Sequence, residues 1–352
     1  FDALAPDEAA VLGTLVHTEG STYRRPGARM LVLPDDTWVG LVGGGCLEGD
    51  LLERARAVRA TGTPQLAVYD ATREEDLVWG MGLGCAGRVE VLLERVTPSE
   101  PGVLGWLSAW RMRREVGVLA SALTQERLGT HLVRHADGRC EALPTSTAED
   151  AALEAALHSA AAGTRAGVNV EGWAIERVAP PPRLAIFGAG PDAAPVARLA
   201  LGVGWDVAVA DPRAAYARSE HFTGCEVACV PVEEGVERLA IDAHSFALVM
   251  NHHYLRDRSV LEQLLDSPAP YIGMLGPRKR TEDLLLELQR DGIDIRDADR
   301  ERIHGPAGLD LGGDGPEAIA LSIVSEMLAV HHERSGGWLR ERKAPIYERD
   351  PA

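Results

Sequence analysis

The sequence predicts an α/β protein, with an N-terminal α+β domain and a C-terminal doubly wound parallel sheet, on three observations. After residue 182, apolar strand-like runs alternate with helical segments, which is typical of a parallel sheet covered by helices. A glycine-rich turn joins the first of these strands to the first helix. The stiff spacer Pro180-Pro181-Pro182 separates this part from a first half in which short strands flank one long helix. We therefore predict two domains, residues 1–180 and 181–352.

The first domain has a legible core at about residues 1–97. Strands are predicted at 9–17, 28–33, 37–42, 65–69 and 88–96, separated by turn residues. A helix is predicted from Cys46 to about Ala60, ending before Gly62. Its apolar residues, including Leu51 and Val58, fall on one face, and Glu48 lies elsewhere.

The rest of the first domain, residues 98–180, is less regular. A helix near 103–112, strands near 116–124 and 129–135, and an amphipathic helix at 148–162 are predicted.

The second domain is predicted as strand, helix and strand repeated along the chain. Strands are predicted at 183–187, 206–210 and 245–250, and helices at 191–203, 258–265, 279–291 and 316–331. The segment from Cys225 to Cys229 is predicted to belong to a strand edge.

Composition excludes several classes of protein. The 352 residues include 36 Lys and Arg and 53 Asp and Glu, for a net charge of −17, which disfavours a nucleic-acid binder. No apolar run is long enough for a transmembrane helix, so no membrane partner is expected. Five cysteines without metal-ligand spacing predict free thiols in a reducing compartment, the cytoplasm, and no metal site built from protein ligands alone.

The turn after residue 187 is a candidate nucleotide site, because it has the pattern G-x-G-x-x-A of a Rossmann-type domain. Gly188 allows the tight turn, Gly190 lets a phosphate approach the backbone, and the small Ala193 lets the helix pack against the strand. A phosphate would bind at the helix N-terminus. Asp211, about twenty residues further on, is predicted to accept from ribose hydroxyls, which favours an unphosphorylated ribose over a 2′-phosphate. Arg213, two residues later, weakens this preference.

Two further glycine-rich loops, Gly43–Asp50 and Trp79–Gly87, each contain one cysteine, Cys46 and Cys85. Cys46 falls in the first turn of the predicted helix, where the helix dipole favours a thiolate. Thiolates in such loops can bind a soft metal or carry sulfur. From residue chemistry alone, however, two tight turns with small buried cysteines are the favoured interpretation.

Several long motifs together resemble the XdhC/CoxI family, the accessory proteins of xanthine dehydrogenase and related molybdenum hydroxylases. They are Glu19–Met30, the GGGCLEGD and GMGLGC loops, the GAGPDAAP turn, Ala210–Arg213, Met250–Tyr254, Tyr271–Arg278 and Ile303–Gly312. The resemblance spans the chain except for about residues 98–180.

The resemblance implies a chaperone that binds molybdenum cofactor, in its molybdopterin form, and helps load it in sulfurated form into an apo-hydroxylase. It implies cofactor contact for Cys46, with Gly44 and Gly45 beside it, and for Cys85, and contact with molybdenum through Cys46. No residue is assigned a catalytic role. The implied partners are a xanthine dehydrogenase-like client and a cysteine desulfurase, and the family favours a homodimer.

Three basic residues are further candidates. Arg24 and Arg25 are suited to phosphate, although solvated surface arginines are an equal interpretation. His253, beside His252, follows a predicted strand end and could contact the cofactor, while a helix cap or a surface histidine fits equally well.

Two other functions remain open from the sequence. One is an NAD-dependent oxidoreductase that uses the turn at Gly188, although no proton-transfer constellation accompanies that turn. The other is a regulatory protein with a degenerate nucleotide site. The Rossmann site could therefore hold the cofactor itself, NAD or another nucleotide.

Overall fold

The computed structural model describes residues 1, 3–20, 22–45, 47–70, 87–143, 157–158, 160, 168–170 and 172–343. The chain divides into two compact units, Phe1–Pro180 and Pro181–Ala352. Cys46, Cys85 and most of the helix predicted at 148–162 lie outside the described residues.

The first unit begins with a five-stranded antiparallel sheet. Its strands are β1 (Ala10–Gly20), β2 (Arg29–Val32), β3 (Trp38–Gly40), β4 (Gln65–Asp70) and β5 (Gly87–Val96), in the order β3-β2-β1-β5-β4. Helix α1 (Glu48–Thr61) packs Leu51, Ala55 and Val58 onto one face of this sheet. The apolar spacing of α1 explains this packing, because these residues share one side of the helix.

A second antiparallel sheet follows in the same unit. Its strands are β6 (Gly117–Ala122), β7 (His131–Arg134), β8 (Cys140–Leu143), β9 (Val168–Val170) and β10 (Trp173–Val178), in the order β8-β7-β6-β10-β9. Helix α2 (Val103–Arg113) buries Trp110 against Leu119 and Val133 of this sheet. The sequence predicted α2, β6 and β7 but not β8, β9 or β10.

The second unit contains a six-stranded parallel sheet, which confirms the predicted fold class. Its strands are β11 (Arg183–Phe187), β12 (Asp206–Ala210), β13 (Glu226–Ala228), β14 (Ser245–Val249), β15 (Tyr271–Met274) and β16 (Ile303–His304). The order β13-β12-β11-β14-β15-β16 reverses direction between β11 and β14. In such sheets, ligands bind at the carboxyl ends of the strands beside this switch point.

Helices cover both faces of the parallel sheet. They are α3 (Ala193–Gly202), α4 (Val232–Arg238), α5 (Tyr254–Leu265), α6 (Arg278–Arg290), α7 (Asp297–Arg302) and α8 (Pro316–His331). Leu184 and Ile186 of β11 face a core with α3 and α8, whereas Ala185 and Phe187 face a core with α5 and α6. Successive strand residues point to opposite faces, so a strand buried on both sides is apolar throughout.

Several short elements of the second unit were not predicted from the sequence. These are β15, β16, α4 and α7, and α5 begins at Tyr254, four residues before the predicted start. Among the described residues, no helix has both the length and the apolar character needed to cross a bilayer.

Candidate functional site

The turn at residues 188–193, the Gly188 loop, lies against the carboxyl end of β14. Gly188 has φ 116°, and a Cβ there would lie 2.5 Å from the Met250 carbonyl oxygen and 2.8 Å from the Asn251 Cα. The Gly188 N–H donates to the Ala210 carbonyl at 2.9 Å. The close approach of two strand ends therefore requires glycine at this position, whatever the loop binds.

The carboxylate of Asp211 is fully engaged by donors from the protein. Oδ2 accepts from the Ala189 N–H at 2.7 Å and from Arg213 Nη2 at 2.6 Å, and Oδ1 accepts from Arg213 N and Nε. Burial raises the pKa of Asp211, which is 1% exposed, but these hydrogen bonds outweigh burial and leave the pKa below its usual value. A ribose hydroxyl that bound Asp211 as predicted would have to displace the Arg213 guanidinium from the carboxylate.

A second carboxylate lies at the N-terminus of α3. Asp192 precedes the first helical residue, Ala193, without a side-chain hydrogen bond that caps the helix. Its Oδ2 pairs instead with His252 Nε2 at 2.7 Å, and its Oδ1 lies 2.6 Å from where a Cβ on Gly190 would be. A negatively charged group thus already lies where the sequence predicts a phosphate, and an anionic ligand would compete with it.

His253 acts as the N-cap of α5. Its Nδ1 accepts from the Arg256 N–H at 3.4 Å, a weak hydrogen bond. This is the helix-cap alternative that the sequence left open, and contact of His253 with a cofactor stays a prediction.

Asn251 is a site residue that the sequence did not single out. It follows β14 at the switch point and is 4% exposed. Its backbone N–H donates to Asp257 Oδ1 at 3.2 Å, but no described residue accepts from its side-chain Nδ2. Buried amide donors are nearly always paired, so this nitrogen is suited to a ligand in the crevice. The sequence feature that could have pointed to Asn251 is its position directly after the strand predicted at 245–250.

An open cleft of about 450 Å³ lies beside Asp211, at the carboxyl ends of β12 and β13. It is lined by Pro212, Cys229, Val230, Pro231, Val232, Glu233, Leu255, Arg256 and Ser259. The lining combines apolar residues with the charged Glu233 and Arg256, a mixture that suits a planar ring with polar substituents.

The loop after β16 is held by a partly buried acid. Glu326 of α8 accepts from the Tyr271 hydroxyl at 2.5 Å and from the Gly308 N–H at 2.9 Å, and lies 3.3 Å from His304 Nδ1. The rings of Tyr271 and His304 stack with centroids 4.3 Å apart. Burial and the negative charge of Glu326 raise the pKa of Tyr271 well above its usual value. This network fixes the glycine-rich loop at the edge of the sheet.

We expect Tyr271→Phe to lower the free energy of unfolding by about 1.5–3 kcal/mol, the typical contribution of a hydrogen bond to a charged group. Glu326 would keep the Gly308 N–H as a donor. Urea denaturation measures the change, and Tyr216→Phe, at a partly exposed tyrosine, is the control. Equal midpoints for the two variants would contradict the assigned role of the hydroxyl.

The loop Gly43–Asp50 of the first unit, the Cys46 loop, is described except for Cys46 itself. Glu48, the first residue of α1, accepts through Oε1 from the Gly43 N–H at 3.0 Å. Although the helical pattern placed Glu48 away from the apolar face, it is buried, because its side chain turns back onto this loop. The Tyr23 ring lies 3.6 Å from where a Cβ on Gly44 would be.

Arg24 and Arg25 lie in the exposed turn that carries Tyr23. The Arg24 carbonyl accepts from the Thr22 hydroxyl at 3.0 Å, and the Arg25 carbonyl accepts from the Ala28 N–H at 3.1 Å. Their predicted contact with phosphate stays untested.

Two family models match the chain, one in each half. Residues 184–327 match the model described as the XdhC Rossmann domain, and residues 3–70 match the model of the XdhC and CoxI family.

Relatives match nearly the whole length of the chain. A Bacillus subtilis (strain 168) protein named as a probable xanthine dehydrogenase subunit is 33% identical over 332 residues, covering 93% of this chain and 95% of that protein. The molybdenum cofactor insertion chaperone PaoD of Escherichia coli (strain K12) is 25% identical over 336 residues, covering 94% and 86%. A crystal structure described as a xanthine dehydrogenase from Bacillus halodurans is 30% identical, with a TM-score of 0.77, covering 94% of this chain and 93% of that one.

Proposed function

Because the chain belongs to the XdhC and CoxI family, we propose that it is an accessory protein that binds molybdenum cofactor and helps insert it into a molybdenum hydroxylase. The observation that carries this proposal is its similarity, over 94% of its length, to a protein named as a molybdenum cofactor insertion chaperone. The client would be a xanthine dehydrogenase-type enzyme, given the name of the Bacillus subtilis relative.

The cofactor is the cargo of such a protein, and its chemistry suits the residues that the sequence singled out. Its molybdenum–sulfur centre is soft, and the thiolates of Cys46 and Cys85 are soft ligands. Its phosphate suits Arg24 and Arg25 or a helix N-terminus. Gly44 and Gly45 leave backbone exposed beside Cys46. The protein would hold the sulfurated cofactor away from water until a client takes it.

Four finer points belong to the same proposal. A cysteine desulfurase would supply the sulfur before the cofactor is loaded. The protein would act in the cytoplasm as a homodimer. The Gly188 loop, together with Asp211, Arg213 and His253, would hold a nucleotide or the phosphate end of the cofactor.

The test is to purify the protein anaerobically from cells that make molybdenum cofactor, and to measure molybdenum and released pterin per chain. We expect nearly one equivalent of each in the wild type and a loss of at least tenfold in Cys46→Ser. Cys140→Ser is the matched control, because Cys140 is an exposed thiol on β8. Equal cofactor content in all three proteins would reject the role of Cys46, and an empty wild type would reject the function.

The second candidate is an NAD-dependent oxidoreductase, which the glycine turn and the cleft beside Asp211 favour. Against it, Arg213 already occupies the Asp211 carboxylate and Asp192 lies near the expected phosphate. The same preparation distinguishes the two functions: bound NAD without pterin would make the oxidoreductase the better interpretation.

A further inference from the structure

Glu48 is a buried acid with one oxygen left without a hydrogen-bond donor. Its side chain belongs to a residue that is 3% exposed, and Oε1 accepts from the Gly43 N–H at 3.0 Å. Oε2 is inaccessible to solvent and has no partner among the described residues. A carboxylate oxygen removed from water without a donor is costly, so such an atom points to a donor that arrives with a ligand.

The position of Glu48 in α1 explains why the charge is tolerated but not why the oxygen is left unpaired. Glu48 is the first residue of α1, where the helix dipole favours a negative charge. The dipole supplies no hydrogen for Oε2, and the hydrogen bond that the carboxylate makes within the described part of the chain holds Gly43 through Oε1. The free acceptor is therefore separate from the contact that shapes the loop.

The surroundings of Glu48 suit a flat ligand. A Cβ on Gly45 or on Gly49 would meet no described atom within 4 Å, so neither glycine is packed against another described part of the chain. The Tyr23 ring is 63% exposed and packs against Gly44 of the same loop. Tyr23 and Glu48 therefore contact neighbouring glycines of one loop, Gly44 and Gly43. An aromatic ring and a polar acceptor on the same loop suit a planar heterocycle with N–H donors at one edge.

We propose that Glu48 recognises the 2-amino-4-oxopyrimidine edge of a pterin, with Oε2 accepting from its N–H donors. This edge carries a ring N–H and an amino group side by side, and both hydrogens can converge on one carboxylate oxygen, which has two lone pairs. A ring with a carbonyl in place of the amino group would direct an acceptor at Oε2 and be rejected. The inference rests on the proposed function, and it assigns the recognition of the pterin to the first unit.

The experiment measures binding of two small probes by fluorescence, pterin (2-amino-4-oxopteridine) and lumazine (2,4-dioxopteridine). We expect the wild type to bind pterin at least tenfold more tightly than lumazine. Glu48→Gln keeps an oxygen for the Gly43 N–H but places an amide donor against the pterin donors. We expect this variant to lose at least tenfold in pterin affinity and to lose the preference over lumazine. Glu53→Gln, at an exposed position of α1, is the control and should match the wild type.

The outcomes separate the two proposals. If the wild type binds lumazine as tightly as pterin, the inference is wrong, and this result does not depend on whether any variant folds. A folded Glu48→Gln that retains the wild-type pterin affinity, or its pterin content after anaerobic purification, also overturns it while leaving the chaperone function standing. Wild type purified without pterin rejects the function, and the inference falls with it.

Discussion

Replacing Gly188 with alanine is expected to lower the free energy of unfolding of the second unit by about 3 kcal/mol or more. Alanine is strained at the φ of 116° that this residue adopts. Its Cβ would also lie 2.5 Å from the Met250 carbonyl oxygen and 2.8 Å from the Asn251 Cα. Both are backbone atoms that join β14 to the loop after it, so relief of the clash requires the two strand ends to move apart.

Gly202→Ala is the matched control for this prediction. Gly202 is the last residue of α3, and no described atom lies within 4 Å of an added Cβ. Alanine there is expected to be neutral or to stabilise by up to about 1 kcal/mol through helix propensity. Urea unfolding followed by circular dichroism measures both variants. A Gly188→Ala protein with the midpoint of the control would contradict the packing at the switch point.

The sequence predicted Gly188 correctly as a turn residue but could not reveal why it must be glycine. The strand–turn–helix pattern is local, so the strand, the turn and α3 follow from about twenty consecutive residues. The contact with Met250 joins residues sixty-two positions apart, and the pairing of Asp192 with His252 joins residues sixty apart. Such pairings leave no periodic signal in one sequence.

The missed strands have a related cause. β15 is four residues long and β16 two, and runs this short carry no detectable alternation. Glu48 was misplaced because helical periodicity describes a helix interior, whereas a first-turn side chain can turn back onto the preceding loop. The predictions that succeeded depended on apolar period, whereas those that failed concerned runs too short to show a period or a polar side chain whose partner lies outside its own helix.

Asp211→Asn is expected to cost about 3 kcal/mol of stability near neutral pH, the upper end of the penalty for leaving a buried polar group unpaired, because Asp211 is fully buried while Arg213 is partly exposed. The Asp211 carboxylate accepts from the Ala189 N–H and from three nitrogens of Arg213. An asparagine has one acceptor oxygen, so either Ala189 or Arg213 loses its partner and Arg213 loses its counter-charge. The Gly188 loop would be held less tightly against β12.

The cost should depend on pH in a defined direction. Burial raises the pKa of Asp211, but the Arg213 and backbone hydrogen bonds more than offset it, so the folded-state pKa lies below the unfolded value. As pH falls, the unfolded chain therefore binds the proton first, and the contribution of Asp211 to stability is lost as pH passes down through the folded-state pKa. Above the unfolded pKa of about 3.9 the contribution is complete.

The measurement is the difference in free energy of unfolding between wild type and Asp211→Asn, from urea titrations between about pH 7 and pH 2, a range that brackets the unfolded pKa. The gap should be constant down to about pH 5 and then narrow, because only the wild type has this carboxylate to protonate. Asp299 and Glu326, whose pKa values are also lowered, are present in both proteins and cancel in the difference. Asp314→Asn, at an exposed loop position, should show no gap at any pH. A gap for Asp211→Asn that stays constant to pH 2 would mean that the ionised Asp211–Arg213 pair contributes nothing to holding the Gly188 loop.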